Sequence, residues 1–174
     1  MPTASPLLRE SIDMTSTPGL AGFAGLYEQH YAAVFRAAFR VTGSRADAED
    51  VLQTVFVRLL SRSEQDQAEQ RPAAYFRRAA VNAGVDLLRR RAVHAETAYD
   101  DEAPHAATES SLLLKEQLRR AIATLDREDA ALFLLRFVEG LSNQELADEF
   151  RIEKNNVAVR LHRIRLRLQA EMER

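Results

Sequence analysis

Residues 141–168, LSNQELADEFRIEKNNVAVRLHRIRLRL, constrain this chain more than any other stretch. Ser142 followed three residues later by Glu145 is the start of a capping box: the hydroxyl accepts a backbone N–H of the first turn, and the carboxylate reaches back to the N–H of the cap. Leu146, Ala147 and Phe150 then share one face of a short helix. Arg151, Ile152 and Glu153 fill a turn. From Lys154 the spacing predicts a second helix, with Val157, Leu161, Ile164 and Leu168 along one stripe. Its other faces carry Asn155, Asn156, Arg160, His162, Arg163, Arg165 and Arg167. A short helix, a tight turn and a basic second helix form a helix-turn-helix, whose second helix can enter a DNA major groove. The competing reading is a solvated basic helix on the outside of a helical bundle.

The rest of the chain is equally helical in character. Its 174 residues suffice for one medium domain or two small ones. Six glycines and five prolines are few, and the good helix formers Ala, Leu, Arg and Glu abound. A hydrophobic content of 46% beside 29% charged residues is that of a soluble, core-forming protein. The absence of cysteine excludes disulfides, thiolate metal sites and thiolate nucleophiles, and is compatible with a reducing cytosol. No apolar run approaches the roughly 18 to 20 residues of a membrane span, and the N-terminus lacks the order of a secretory signal. The net charge of −2 conceals an uneven distribution. Between Ala92 and Ser111 lie five acids and no Lys or Arg, with Arg77, Arg78, Arg89, Arg90 and Arg91 before this stretch and the basic helix after it.

Residues 1–22, rich in Pro, Ser, Thr and Gly, read as a flexible tail. Leu26, His30, Val34 and Ala38, with Phe35 and Phe39 beside them, predict an amphipathic helix that Gly43 stops. Ser44 caps the next, with Asp47 three residues on. Ala48, Leu52, Val55 and Leu59 form its stripe, and Asp47, Glu49, Asp50 and Gln53 its polar side. Ser61 to Arg71 reads as a polar connection. Pro72 suits the first turn of a third helix, which carries two apolar stripes: Phe76, Ala80, Ala83 and Leu87, then Val81, Val85 and Leu88. Two stripes predict a helix embedded in a bundle at its middle. Tyr75 and Phe76 stand next to Arg77 and Arg78, an interleaving of aromatics and cations that suits single-stranded nucleic acid, though most such helices are structural. Residues 93–111, acidic and holding Pro104, read as a linker. Leu114, Leu118, Ile122 and Leu125 mark a further helix, and Asp126 caps another that Gly140 closes. The expected fold is all-α: two small helical domains, 23–92 and 112–174, joined by a flexible acidic linker, the second a four-helix domain ending in the helix-turn-helix.

The order DAEDVLQTVFVRLL, AYFRRAAVNAGVDLLRRR, an acidic linker, LRFVEGLSNQELADEF and NNVAVRLHRIRLRL resembles that of bacterial RNA polymerase sigma factors of the sigma-70 family, of the small extracytoplasmic-function type. The resemblance runs from about Leu26 to the C-terminus. It implies an initiation factor without catalytic residues or cofactor of its own, cytoplasmic and not inserted in a membrane, that binds core polymerase at its clamp coiled coil and flap and also binds promoter DNA. Small sigma factors of this kind are often held inactive by an anti-sigma partner, though no residue here identifies one. By position, Asp47, Glu49, Asp50 and Gln53 correspond to the face that docks on the clamp, an acidic and amide-bearing surface suited to Arg-rich helices. Thr54 stands where a Glu is common. Tyr75, Arg77, Arg78, Asn82, Asp86, Arg89, Arg90 and Arg91 correspond to the helix that melts and reads the −10 element, where stacking and base-edge hydrogen bonds offset the few kcal/mol of base extrusion. The C-terminal domain corresponds to the one that reads the −35 duplex. There Lys154, Asn155, Asn156, Ala158, Val159 and Arg163 are placed for base edges, and Arg160, Arg165 and Arg167 for phosphates. The chain departs from the pattern at Arg151, where the turn usually has Gly, and at Glu153, where a small hydroxyl residue usually caps the recognition helix.

Two other function classes fit these residues less well. A stand-alone helix-turn-helix regulator binding operator DNA as a dimer would need a dimerisation or ligand domain upstream, where this chain has an acidic face and an Arg/aromatic face. An enzyme finds little support: His30, His94, His105 and His162 are scattered without metal-ligand spacing, and no Gly-rich phosphate loop occurs.

Overall fold

Start and stop signals place eight helices among the described residues of the computed structural model, which are 18–97 and 109–174. They are α1 (Pro18–Thr42), α2 (Arg45–Arg58), α3 (Arg62–Gln70), α4 (Pro72–Thr97), α5 (Glu109–Thr124), α6 (Arg127–Phe137), α7 (Asn143–Phe150) and α8 (Lys154–Met172). Gly43 ends α1 at φ 71°, its N–H donating to the Phe39 carbonyl at 2.8 Å. Ser44 and Asp126 cap α2 and α6 by accepting the N–H groups of Asp47 and Asp129. Ser142 and Glu145 complete the reciprocal capping box that opens α7.

Three boundaries differ from the sequence expectation. Helix α1 begins at Pro18, inside the expected tail, because Pro is suited to a first helical turn; residues 1–17 lie outside the described residues. The expected polar connection contains α3, in which Ala68 is the one buried side chain among those described, and its sequence RSEQDQAEQ carries no apolar stripe to reveal it. The expected linker 93–111 is helical at both ends, since no Gly or Pro interrupts the chain between Gly84 and Pro104; residues 98–108 lie outside the described residues.

The helices enclose two apolar cores. Val34, Ala38, Val51, Val55, Phe56, Leu59, Phe76, Ala80 and Leu87 form the first, among α1, α2 and α4. Ile122, Leu132, Leu135, Leu146, Val157, Leu161, Ile164 and Leu168 form the second, among α5 to α8. Helix α4 belongs to both. Its stripe of Phe76, Ala80, Ala83 and Leu87 faces the first core, while Val81, Val85 and Leu88, with Val41 of α1, join the second. The double stripe thus makes α4 a wall shared by the two helical domains, which pack directly on one another. Gly84 permits close approach at this wall, because a Cβ there would stand 2.9 Å from Val41 Cγ1.

Candidate nucleic-acid interface

Helix α2 presents Glu49, Asp50 and, one turn on, Gln53 outward. Asp50 and Gln53 hold no ion pair among the described residues, while Glu49 accepts from Arg45 at 3.1 Å. Asp47, expected on the same face, is instead buried at 2% side-chain exposure. It lies one turn before Val51 and two before Val55, on the inward stripe of α2, and it accepts from Arg91 near the end of α4. Burial pushes the Asp47 carboxyl above the usual range, and the Arg91 guanidinium opposes that push. Asp47 is therefore placed as a brace between α2 and α4. Arg91, expected at the DNA strand, is its partner.

The other α4 residues line the side of the helix nearest α3 and the C-terminal domain. The Tyr75 hydroxyl donates to Glu64 of α3, and burial together with that carboxylate raises its pKa far above the ordinary phenol value. Arg77 meets Glu149 of α7 at 3.4 Å, and Arg78 donates to the Glu149 carbonyl at 3.0 Å while its guanidinium lies over the Phe150 ring at 4.4 Å. Asp86 accepts from Arg127 of α6 at 3.0 Å, and Arg89 donates to the Leu125 carbonyl. Asn82 is half-buried and Arg90 exposed. Between α2 and α4 runs an open cleft of about 390 Å³ lined by Thr54, Arg58, Ala83, Asp86, Arg89 and Arg90. Three guanidiniums beside a hydroxyl and a carboxylate can hold a nucleotide phosphate and meet a base edge. Thr54 and Arg58 were not among the expected site residues. Their signal is positional: four apart on α2, both lie near its end, opposite the Asp86 and Arg90 turn of α4.

Helix α8 buries Val157, Leu161, Ile164 and Leu168 and leaves Lys154, Asn155, Asn156, Ala158, Val159 and Arg163 exposed together, as the periodicity predicts. A groove of about 450 Å³ runs along it, lined by Asp129, Asn156, Val159, Arg160, Arg163 and Arg167. Within it, Arg160 and Arg167 are engaged by acids at the start of α6. Arg160 binds Asp129 and meets Glu128 at 3.1 Å, and Arg167 meets Asp129 at 3.3 Å and Asp126 at 3.8 Å. Burial and the neighbouring Asp126 raise the Asp129 carboxyl above its usual range. Burial pushes Asp126 up as well, but hydrogen bonding with Asp129 and the charges of Arg160 and Arg167 outweigh it and leave Asp126 below the usual value. A phosphate that reaches Arg160 or Arg167 has to compete with these carboxylates. Arg163 holds no ion pair among the described residues, and Arg165 lies 5.9 Å from the Phe137 ring.

The turn accommodates its two unusual residues. Arg151 adopts the left-handed conformation at φ 55° and ψ 45°, and its N–H donates to the Ala147 carbonyl. Glu153 occupies the cap position of α8 without a side-chain cap bond. Among the described residues no group of three His, Asp or Glu is placed to hold a metal ion, and no helix is long and apolar enough to cross a membrane.

Comparison with known proteins finds matches for both helical halves of the chain. The model of "Sigma-70 region 2" matches residues 26–93, and that of "Sigma-70, region 4" matches residues 115–168. The ECF RNA polymerase sigma factor SigL of Mycobacterium tuberculosis is 30% identical over 143 residues, covering 79% of this chain and 81% of SigL. The ECF RNA polymerase sigma factor SigE of Mycolicibacterium smegmatis is 27% identical over 175 residues, covering 96% of this chain but 66% of SigE, so the chain spans just under two thirds of that relative. Among solved structures, the sigma factor RpoE of Bartonella quintana, in co-crystals with the anti-sigma factor NepR, shares the fold at a TM-score of 0.50 and 20% identity, over 87% of this chain and 96% of that one.

Proposed function

The chain belongs to the sigma-70 family of RNA polymerase sigma factors, in its extracytoplasmic-function group, and we propose that it is a dissociable initiation subunit that docks on core polymerase and carries it to promoters. The observation that supports this best is the distribution of the two family regions. Region 2 falls on the helices that carry the acidic α2 face and the Arg-lined α4 cleft, and region 4 falls on the helices that carry the exposed α8 face. In this reading Glu49, Asp50 and Gln53 meet the polymerase clamp. The α4 residues from Tyr75 to Arg90, with Thr54 and Arg58 beside them, take the melted −10 strand. Lys154, Asn155, Asn156, Ala158, Val159 and Arg163 meet the −35 base edges, and Arg165 the phosphates, with Arg160 and Arg167 joining once released by the α6 acids. The working halves are 23–92 and 112–174. The polymerase supplies the metal ions and the nucleotide chemistry, so the chain is an initiation factor and no enzyme, acting in the cytoplasm beside the polymerase. An anti-sigma partner, of the kind NepR is to RpoE, would silence it by covering the same faces.

The test is run-off transcription by core polymerase on a pooled promoter library, with and without the chain. New start sites preceded by shared −10 and −35 sequences are expected. Start sites identical to those of core polymerase alone would refute the proposal.

A further inference from the structure

Four of the eight α4 residues expected at the −10 strand are held by the C-terminal domain: Arg77 and Arg78 by α7, Asp86 by α6, and Arg89 by the carbonyl just before α6. The chemistry of the covering surface is specific. The end of α7 offers Arg77 a carboxylate and offers Arg78 a helix C-terminal carbonyl, which carries partial negative charge. Beside these it offers an aromatic ring, Phe150, across which the Arg78 guanidinium lies. Anionic oxygen next to a flat ring is also what a single-stranded nucleotide presents to such a surface. We infer that the α7 end, Glu149 and Phe150, occupies the strand-binding face of α4 as an internal stand-in for a nucleotide, so that promoter DNA and the C-terminal domain compete for it. This inference rests on the assignment of α4 to the −10 strand.

The polar part of the contact is weak. The Arg77–Glu149 pair is a single 3.4 Å contact that leaves Arg77 Nε and Glu149 Oε1 buried without partners. Such unmet groups weaken the closed arrangement relative to one in which a strand satisfies them. Two peripheral ion pairs supplement it, Arg40–Glu139 at 3.1 Å and Arg127–Asp86 at 3.0 Å. The closed form also engages Val41, Val81, Val85 and Leu88 in the second core. Binding of the two domains to separate sites on polymerase would have to separate these surfaces, and only then would the α4 face be free.

The chain has no cysteine, so a pair can be introduced cleanly. Arg40→Cys with Glu139→Cys places one thiol on each domain, away from the proposed DNA and clamp residues, for bridging by a cleavable bis-maleimide. The free protein should cross-link efficiently within one chain. Once linked it should lose binding to a fluorescent single-stranded −10 oligonucleotide and lose promoter-directed transcription with core, and cleaving the linker should restore both. In parallel, Arg127→Glu with Glu139→Arg turns two ion pairs into like-charge contacts, which should raise the free chain's apparent affinity for the oligonucleotide by roughly tenfold as the open fraction rises. Failure of the free chain to cross-link, or full oligonucleotide binding and transcription while linked, would overturn the inference. Absence of transcription by the unlinked wild type would instead remove the sigma-factor reading, while the cross-linking yield would still report closure.

Discussion

Replacing Gly84 by Ala tests the close approach of α1 and α4, and two opposing effects decide its sign. In a helix interior Ala is favoured over Gly by about 1 kcal/mol. Against this, the new methyl would stand 2.9 Å from Val41 Cγ1, 3.3 Å from Val41 Cβ and 3.9 Å from Thr42 Cγ2. Val41 cannot easily retreat: it is 2% exposed, engaged in the second core, and as a β-branched residue in a helix has essentially one preferred rotamer. Overpacking of that kind typically costs 1–3 kcal/mol, so Gly84→Ala should be net destabilising, by about 1 kcal/mol. For a chain of this size that corresponds to a fall in Tm of roughly 2–4 °C. Gly25, also inside a helix, is the control, because a Cβ there meets nothing within 4 Å; Gly25→Ala should stabilise by up to about 1 kcal/mol. Urea unfolding followed by circular dichroism, with m-values compared, reads both. If Gly84→Ala stabilises as much as Gly25→Ala, the two helices do not approach as described.

Other perturbations address single features. Arg151→Gly should raise stability by up to about 1 kcal/mol in urea unfolding, since the left-handed conformation costs Arg about that much; a loss would mean that the Arg side chain contributes more than its backbone costs. Because burial raises the Asp47 carboxyl, the unfolded chain releases that proton first as pH rises, so stability falls between the ordinary carboxylate range and the raised one and stays lower above it. Asp47→Asn should therefore lose less stability than wild type as pH rises from the ordinary carboxylate range through the raised one, and a larger loss would show that the Arg91 pair outweighs burial. Asp50→Lys should weaken binding to core polymerase by about tenfold or more, the value of a charge-assisted hydrogen bond, while leaving binding to the single-stranded −10 oligonucleotide unchanged. Arg163→Ala should reduce promoter use and relax −35 preference by about 1–3 kcal/mol, with core binding intact; loss of core binding would show that docking and reading are not divided as proposed.

Much of this was legible because it is local. Ser142 with Glu145, Asp126 with Asp129, and Gly43 announce helix ends through bonds made within a few residues, and the α8 stripe predicts which side chains are buried. The two stripes of α4 signalled a deeply embedded helix, but no rule of spacing could say that the second stripe faces a domain some forty residues further along the chain. Helix α3 gives no signal because Ala68 is the one apolar residue in its sequence and leaves no periodicity. Asp47 was misplaced because an acid in a first helical turn is normally a surface feature, whereas its partner Arg91 is distant in sequence and its burial depends on the packing of α4. Arg160 and Arg167 look free on a helical wheel because the acids that engage them lie on α6.

Whether one chain carries both a polymerase-docking face and two promoter-reading faces is decided by footprinting on a promoter recovered from the run-off library. Core polymerase with the chain should protect the −35 duplex and expose unpaired bases at the −10 element to single-strand reagents, while the chain alone should give neither signal. A footprint by the chain alone over a symmetric site, unchanged by core polymerase, would contradict this division of faces and identify a stand-alone regulator instead.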